Sequence, residues 1–207
     1  MAQPSLRRAL RGLLVLLSCG LWYHSSPADS VMVEATPEDL LVVGAGYLGR
    51  RVAQLWREKS KVKVVAATMT EKSHEALRQE GLEPILASDL KASKLKFSQV
   101  VFCAPPSRGE ASDYAKSVTD ALEHLAEGGI GVFTSSASVF AEDSGNSVDE
   151  SGALSDSSSA QRMLAAEEAA QRGGSAVLRL AGLYDLERGP HSYWLKVGVV
   201  KGAAEGL

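Results

Sequence analysis

One stretch limits what this chain can fold into more than any other: Leu40-Leu-Val-Val-Gly-Ala-Gly-Tyr-Leu-Gly-Arg-Arg-Val-Ala-Gln-Leu-Trp56. A short apolar run breaks into Gly44, Gly46 and Gly49, and apolar residues then resume at helical spacing through Leu48, Val52, Leu55 and Trp56. The pattern reads as a strand, a tight turn and a helix. In G-x-G-x-x-G the first glycine permits the turn, the second lets backbone approach a pyrophosphate, and the third lets helix pack on strand. The backbone N–H groups of Gly46, Tyr47 and Leu48 at the helix start would then face the phosphates of a dinucleotide. Glycines also mark ordinary turns, so the motif gains its meaning from the strand before it and the amphipathic helix after it.

Lys61 to Thr70 is rich in Val and Thr and reads as a second strand, completing a βαβ unit. About 20 positions beyond the glycines, an acidic residue would hold the ribose of NAD, and a basic one would accept the phosphate of NADP. Here the strand ends in Thr68, Met69 and Thr70. Thr68 or Thr70 with Lys72 gives a slight lean to NADP, and Glu71 is the competing candidate for NAD. Glu83 to Leu90 reads as a third strand finishing on Asp89, placed to contact adenine or simply to form a turn. Gln99 to Ser107 is a fourth strand, apolar as a strand covered on both faces must be, and it stops at Pro105-Pro106. Ala104 and Pro105 would lie beside the cofactor, because ligands of doubly wound sheets collect at strand C-termini.

A helical stripe of Tyr114, Val118, Leu122 and Leu125 predicts a helix from Ser112 to Glu127, stopped by Gly128-Gly129, with His124 on its surface. The fifth strand, Ile130 to Phe140, changes from apolar to hydroxyl-rich at Thr134-Ser-Ser-Ala-Ser138. Those hydroxyls either meet substrate or satisfy turn backbone. A polar loop over Ser144–Ser159, a helix over Ala160–Arg172 and a sixth strand over Ala176–Tyr184 follow. Strands alternating with helices imply an α/β fold, a doubly wound parallel sheet with helices on both faces. Arg188, His191 and Tyr193, beyond the sixth strand, are candidates for a substrate pocket; Arg188 would grip a carboxylate or phosphate through its planar fork.

The 207 residues, 45% hydrophobic, suit a single domain over residues 38–207 behind a leader of residues 1–37. A formal charge of −3 gives no electrostatic footprint for nucleic acid. Cys19 and Cys103 make neither a disulfide framework nor a metal site, and no metal is expected. Residues 1–28 carry Arg7, Arg8 and Arg11 with no acidic residue, and an apolar run from Leu13 to Tyr23. This is a targeting composition, compatible with a secretory signal or an organellar transit peptide. The run is shorter than the ~20 residues of a stable membrane span.

Gly44-Ala-Gly-Tyr-Leu-Gly49, Thr134-Ser-Ser-Ala-Ser-Val-Phe140, Val148-Asp-Glu150, Ala165-Ala-Glu167 and Leu178-Arg-Leu-Ala-Gly-Leu-Tyr184, in this order and spacing, resemble the extended short-chain dehydrogenase/reductases. This family includes NAD-dependent sugar-nucleotide epimerases and dehydratases. The chain looks most like an atypical subgroup of bacterial and plant-plastid NAD(P)-binding proteins. The resemblance implies an NAD(P)-binding Rossmann fold, a small-molecule substrate and, with the plastid relatives, a chloroplast transit peptide, the alternatives being the secretory pathway or a mitochondrion. It also implies that the substrate lobe is incomplete, since the chain stops before the lobe's further helix and strand.

Family catalysis implies a Ser or Thr after the fifth strand, matched by Ser136, and a Tyr-x-x-x-Lys pair on the next helix. Aligned on Ala165-Ala-Glu167, the Tyr position is Ser159 and the Lys position Met163. A serine hydroxyl without a neighbouring ammonium is too weak an acid to replace a tuned phenol near neutral pH. The expectation is an atypical oxidoreductase with Ser136 polarising a substrate oxygen, against the alternative of a non-catalytic dinucleotide-binding sensor or assembly factor. Substrate and oligomeric state are not specified by the sequence.

Overall fold

The computed structural model describes residues 39–60, 62–106, 110–186 and 188–197. The leader, residues 1–37, lies outside them. Six parallel strands form one sheet: β1 (Leu40–Val43), β2 (Val64–Thr68), β3 (Glu83–Leu86), β4 (Phe97–Phe102), β5 (Leu125–Ser136) and β6 (Ala176–Leu180). Their spatial order is β3-β2-β1-β4-β5-β6. The chain builds leftward from β1, returns, and continues to the right through β4. Leu40 therefore pairs with Val64 on one side and Gln99 on the other. With helices on both faces, the central strands must be apolar throughout, and Leu40, Leu41 and Val42 are fully buried. The doubly wound sheet expected from the alternation of elements is the fold observed.

The helices are α1 (Tyr47–Ser60), α2 (His74–Gln79), α3 (Ala87–Ala92), α4 (Ala111–Leu122), α5 (Ser158–Arg172) and α6 (Pro190–Val197). Gly49 and Ala53 are the buried residues of α1, with Val52 and Trp56 packed beside them. Leu55, placed on the apolar stripe by its spacing, is instead 41% exposed. Small residues at the seam let the helix axis approach the sheet, which turns the buried face toward Gly49 and Ala53. On the other face, Phe102, Tyr114 and Phe133 meet with ring centroids about 6 Å apart, beneath Val118 and Met163.

Several boundaries differ from the expectations: β4, β5 and β6 end at Phe102, Ser136 and Leu180, short of the expected Ser107, Phe140 and Tyr184. β3 ends at Leu86, and Asp89 lies exposed in the first turn of α3, not at a strand end. Helix α4 stops at Leu122, so Leu125 belongs to β5. The Gly128-Gly129 pair lies inside that strand, where pairing with β4 shifts register between Phe97 and Gln99. A Cβ on Gly129 would lie 2.8 Å from the Ser98 carbonyl oxygen, so the irregularity needs a glycine. His124 is not a surface residue: it is 6% exposed, and its Nδ1 lies 2.8 Å from the Leu95 carbonyl oxygen. Tertiary contact with the segment before β4 supplies the partner that burial of an imidazole requires.

An ion pair ties the right-hand edge together. Glu167 of α5, 3% exposed, accepts from Arg179 of β6 at 3.0 and 2.8 Å and from the Ser135 hydroxyl of β5. Removing one partner of such a pair strands the other charge. Glu167→Ala should cost about 3 kcal/mol, the low end of the range for buried pairs because Arg179 still reaches water; urea denaturation measures it, with unchanged stability as the contrary result.

Candidate functional site at the topological switch point

The strand order reverses between β1 and β4, and the crevice beyond their C-terminal ends is where ligands of open α/β sheets bind. Two connections form its floor. After β1 the chain turns through Gly44, whose N–H bonds the Ala67 carbonyl at 3.0 Å, and enters α1. After β4 it continues through Cys103, whose N–H bonds the Val43 carbonyl at 2.7 Å, to Ala104 and Pro105. The ends of β2, β1 and β4 are thereby stitched side by side.

The three glycines serve different ends. Gly44 has φ +90°, and a Cβ there would lie 2.4 Å from the Ala104 nitrogen. A Cβ on Gly49 would lie 2.2 Å from the Gly44 carbonyl oxygen. Both are glycines because protein backbone occupies the space. Gly46 differs: it is exposed, its φ is ordinary, and nothing lies within 4 Å of an added Cβ. The protein alone does not require a glycine there; a ligand pressed against the start of α1 would. Tyr47 and Leu48 follow in the first turn of α1, where backbone N–H groups lack helical partners. The residues present fit a dinucleotide pyrophosphate.

The other expected residues are distributed around this crevice. Thr68 ends β2 beside Gly44, its hydroxyl engaged by Thr70 and His74. Ala104 borders the turn directly and Pro105 follows it in the chain, whereas Asp89 sits on α3. The hydroxyl cluster divides. Thr134 donates to the Phe102 carbonyl at 2.9 Å and Ser135 to Glu167, both structural contacts. Ser136 alone stands at the strand's C-terminal end, accepting from the Ser138 N–H at 3.1 Å with the Ser138 hydroxyl 2.9 Å away. Ser159 is exposed near the start of α5, and Met163 is 7% exposed within the apolar core. No ammonium can therefore come from position 163.

Neither nearby ionisable core group replaces the missing acid. The Tyr114 phenol donates to the Ala104 carbonyl at 2.8 Å, and burial pushes its pKa far up. Burial likewise pushes the Cys103 thiol up to about 11, so it is protonated near neutral pH and is a poor nucleophile.

Sequence reasoning missed a latch across the crevice. Tyr47 donates to Asp185 Oδ2 at 2.7 Å, Arg51 pairs with the same carboxylate, and the Arg188 N–H donates to Asp185 Oδ1 at 2.8 Å. The hydrogen bond to Asp185 raises the Tyr47 pKa above its ordinary value. Guanidinium carbons of Arg51 and Arg188 lie 4.1 and 4.6 Å from the Tyr47 ring centroid. Together with Gly46 and Arg50 they line a depression of about 490 Å³. Arg188 thus stands against the glycine turn, while His191, on α6, has Nε2 3.4 Å from the Leu186 carbonyl oxygen. The Tyr193 side chain lies outside what is described. Only the aromatic residue inside the glycine motif hinted at the latch, because Asp185 is remote in sequence.

No protein-family model and no curated sequence matches the chain. Its fold matches solved structures at low identity. The UDP-Glc/GlcNAc 4-epimerase of Campylobacter jejuni is 16% identical at a TM-score of 0.55, covering 69% of this chain and 53% of that one. The UDP-glucuronic acid 4-epimerase of Bacillus cereus, in complex with NAD, is 18% identical at 0.53, covering 74% and 60%. The dTDP-glucose 4,6-dehydratase of Bacillus anthracis, also with NAD, is 14% identical at 0.57, covering 74% and 57%. The fold is that of NAD-binding epimerases and dehydratases, a Rossmann-type α/β sheet. The chain spans just over half the length of these structures. Among the described residues no helix is long and apolar enough to cross a membrane, and no cluster of three metal-ligating side chains occurs.

Gly46→Ala should denature with the parent protein, whereas Gly44→Ala should lose at least ~1–2 kcal/mol from its left-handed backbone alone; chemical denaturation of the pair measures the difference.

Proposed function

We propose that this chain binds a nicotinamide dinucleotide, NAD(H) or NADP(H), along the glycine turn and acts as an atypical oxidoreductase of the epimerase/dehydratase type. The observation that carries the reading is Gly46: an exposed glycine at a helix start, at the switch point, with open space where its side chain would be. Main-chain N–H groups at Tyr47 and Leu48 would hold the pyrophosphate, with Ala104 and Pro105 beside it. The nicotinamide would supply hydride chemistry when bound. The chain's own part is to orient the substrate and polarise one oxygen through the Ser136 hydroxyl, whose strand-end position supports the role. Proton transfer would pass to water or to the substrate, since Met163 is buried and Ser159 is a weak acid. A sugar nucleotide is the substrate class suggested by the proteins of similar fold, with Arg188 and His191 on the substrate side. The leader's composition fits a secretory signal as well as a transit peptide, and the resemblance to plastid proteins is what favours a chloroplast address; a reporter fused to residues 1–37 would test it by its compartment.

Calorimetric titration of the full chain with NAD(H) and NADP(H) tests the central claim. Saturable binding is expected, and Gly46→Val should weaken it at least 100-fold without loss of fold, because the side chain enters the pyrophosphate's space. Binding unaffected by Gly46→Val would place the nucleotide elsewhere. With a turned-over sugar nucleotide, Ser136→Ala should lower kcat/KM about 100-fold and leave the cofactor Kd unchanged; cofactor binding with no hydride exchange on any such substrate would leave a non-catalytic binding protein.

A further inference from the structure

The C-terminal end of β2 carries a hydrogen-bond arrangement that fixes the direction of one hydroxyl. Thr68 closes the strand next to the glycine turn, since the Gly44 N–H bonds the Ala67 carbonyl. Its hydroxyl lies 3.0 Å from the Thr70 carbonyl oxygen and 2.7 Å from Nε2 of His74. His74, at the head of α2, is 6% exposed and so takes its partner from the protein.

A threonine hydroxyl has one proton and two lone pairs. The Thr70 carbonyl can only accept, so the Thr68 proton is committed to it. His74 must then carry its proton on Nε2 and donate to Thr68, the one tautomer that satisfies both contacts. What remains on Thr68 is a single lone pair. Toward a ligand this hydroxyl can accept a hydrogen bond and cannot donate one.

We propose that Thr68, fixed by His74, makes the adenosine end of the site selective for an unphosphorylated ribose, and hence for NAD(H) over NADP(H). A ribose 2′-hydroxyl can donate to the free lone pair. A 2′-phosphate, largely dianionic near neutral pH, offers only acceptor oxygens and would meet that lone pair repulsively. The adjacent turn offers a phosphate no excess of positive charge, since Glu71 offsets Lys72. Glu71 follows as an exposed carboxylate, while Arg50 and Arg57 are turned to the Glu80 side chain and carbonyl. Lys72 is the remaining cation of the segment, exposed on the turn beyond Thr70. The arrangement therefore runs against the slight lean to NADP drawn from Thr68, Thr70 and Lys72 in sequence. The inference rests on the dinucleotide reading and names a specificity-determining pair for it.

The test is titration of the full chain with NAD+ and NADP+ separately, for the parent, Thr68→Val and Thr68→Ser, with the His74 tautomer read from ring ¹⁵N shifts. The parent should prefer NAD+ by about 10-fold, the scale of one hydrogen bond. Thr68→Val should erase most of that preference by weakening NAD+ alone, Thr68→Ser should keep it, and His74 should be protonated on Nε2. Saturable binding with equal affinity or a preference for NADP+, an equal effect of Thr68→Val on both nucleotides, or a His74 protonated on Nδ1 alone would overturn this proposal and leave the dinucleotide reading standing. No binding of either nucleotide would overturn both.

Discussion

The structure depends on one close approach: the turn after β1 lies against the chain leaving β4, with backbone where side chains would otherwise be. Gly44 meets the Ala104 nitrogen and Gly49 meets the Gly44 carbonyl at distances no Cβ could share. Because these contacts fix the ends of β1 and β4 together, the sheet reverses its winding there, and α1 starts with its free N–H groups directed into the resulting crevice. Gly46 lies on that turn, Thr68 at the end of the neighbouring strand β2, and Ser136 at the end of β5 beyond β4.

The site combines a well-formed cradle with depleted acid–base chemistry. Hydroxyls at Thr134 and Ser135 hold β5 to β4 and α5, leaving Ser136 as the hydroxyl at the strand's C-terminal end. Position 163, where the resemblance implies an ammonium, is instead a core methionine beside Phe102 and Phe133. Restoring a lysine there would require burying its charge, a cost of several kcal/mol unless a partner were supplied. The loss at position 163 is therefore built into the packing of this chain, whereas Ser159, at the other position of the pair, is exposed.

The latch of Tyr47, Arg51, Asp185 and Arg188 gives the β6 connection a second function. It fastens the right-hand half of the sheet to the glycine turn through one carboxylate shared by a phenol and a guanidinium. These groups are partly exposed, so their contribution to stability is small. Their consequence is positional, because they hold the segment after β6 against the start of α1.

The α/β class, the order of elements and the turn at Gly44–Gly49 were legible in the residues alone, because glycine spacing and apolar periodicity are local properties. The sequence placed the end of β1 at the glycine turn and singled out Ser136 and Thr68 as strand-end hydroxyls, but it carried β4 on to Pro105-Pro106, past its end at Phe102. Only the tertiary structure decided what these side chains can do. Asp89 moved onto a helix, Leu55 turned to solvent, and His124 became buried, each through packing between segments distant in sequence. The meaning of Thr68 changed most. In sequence it is a hydroxyl able to donate or accept; in the fold, Thr70 takes its proton and His74 takes a lone pair, and direction in a hydrogen bond follows from neighbours that no local pattern records.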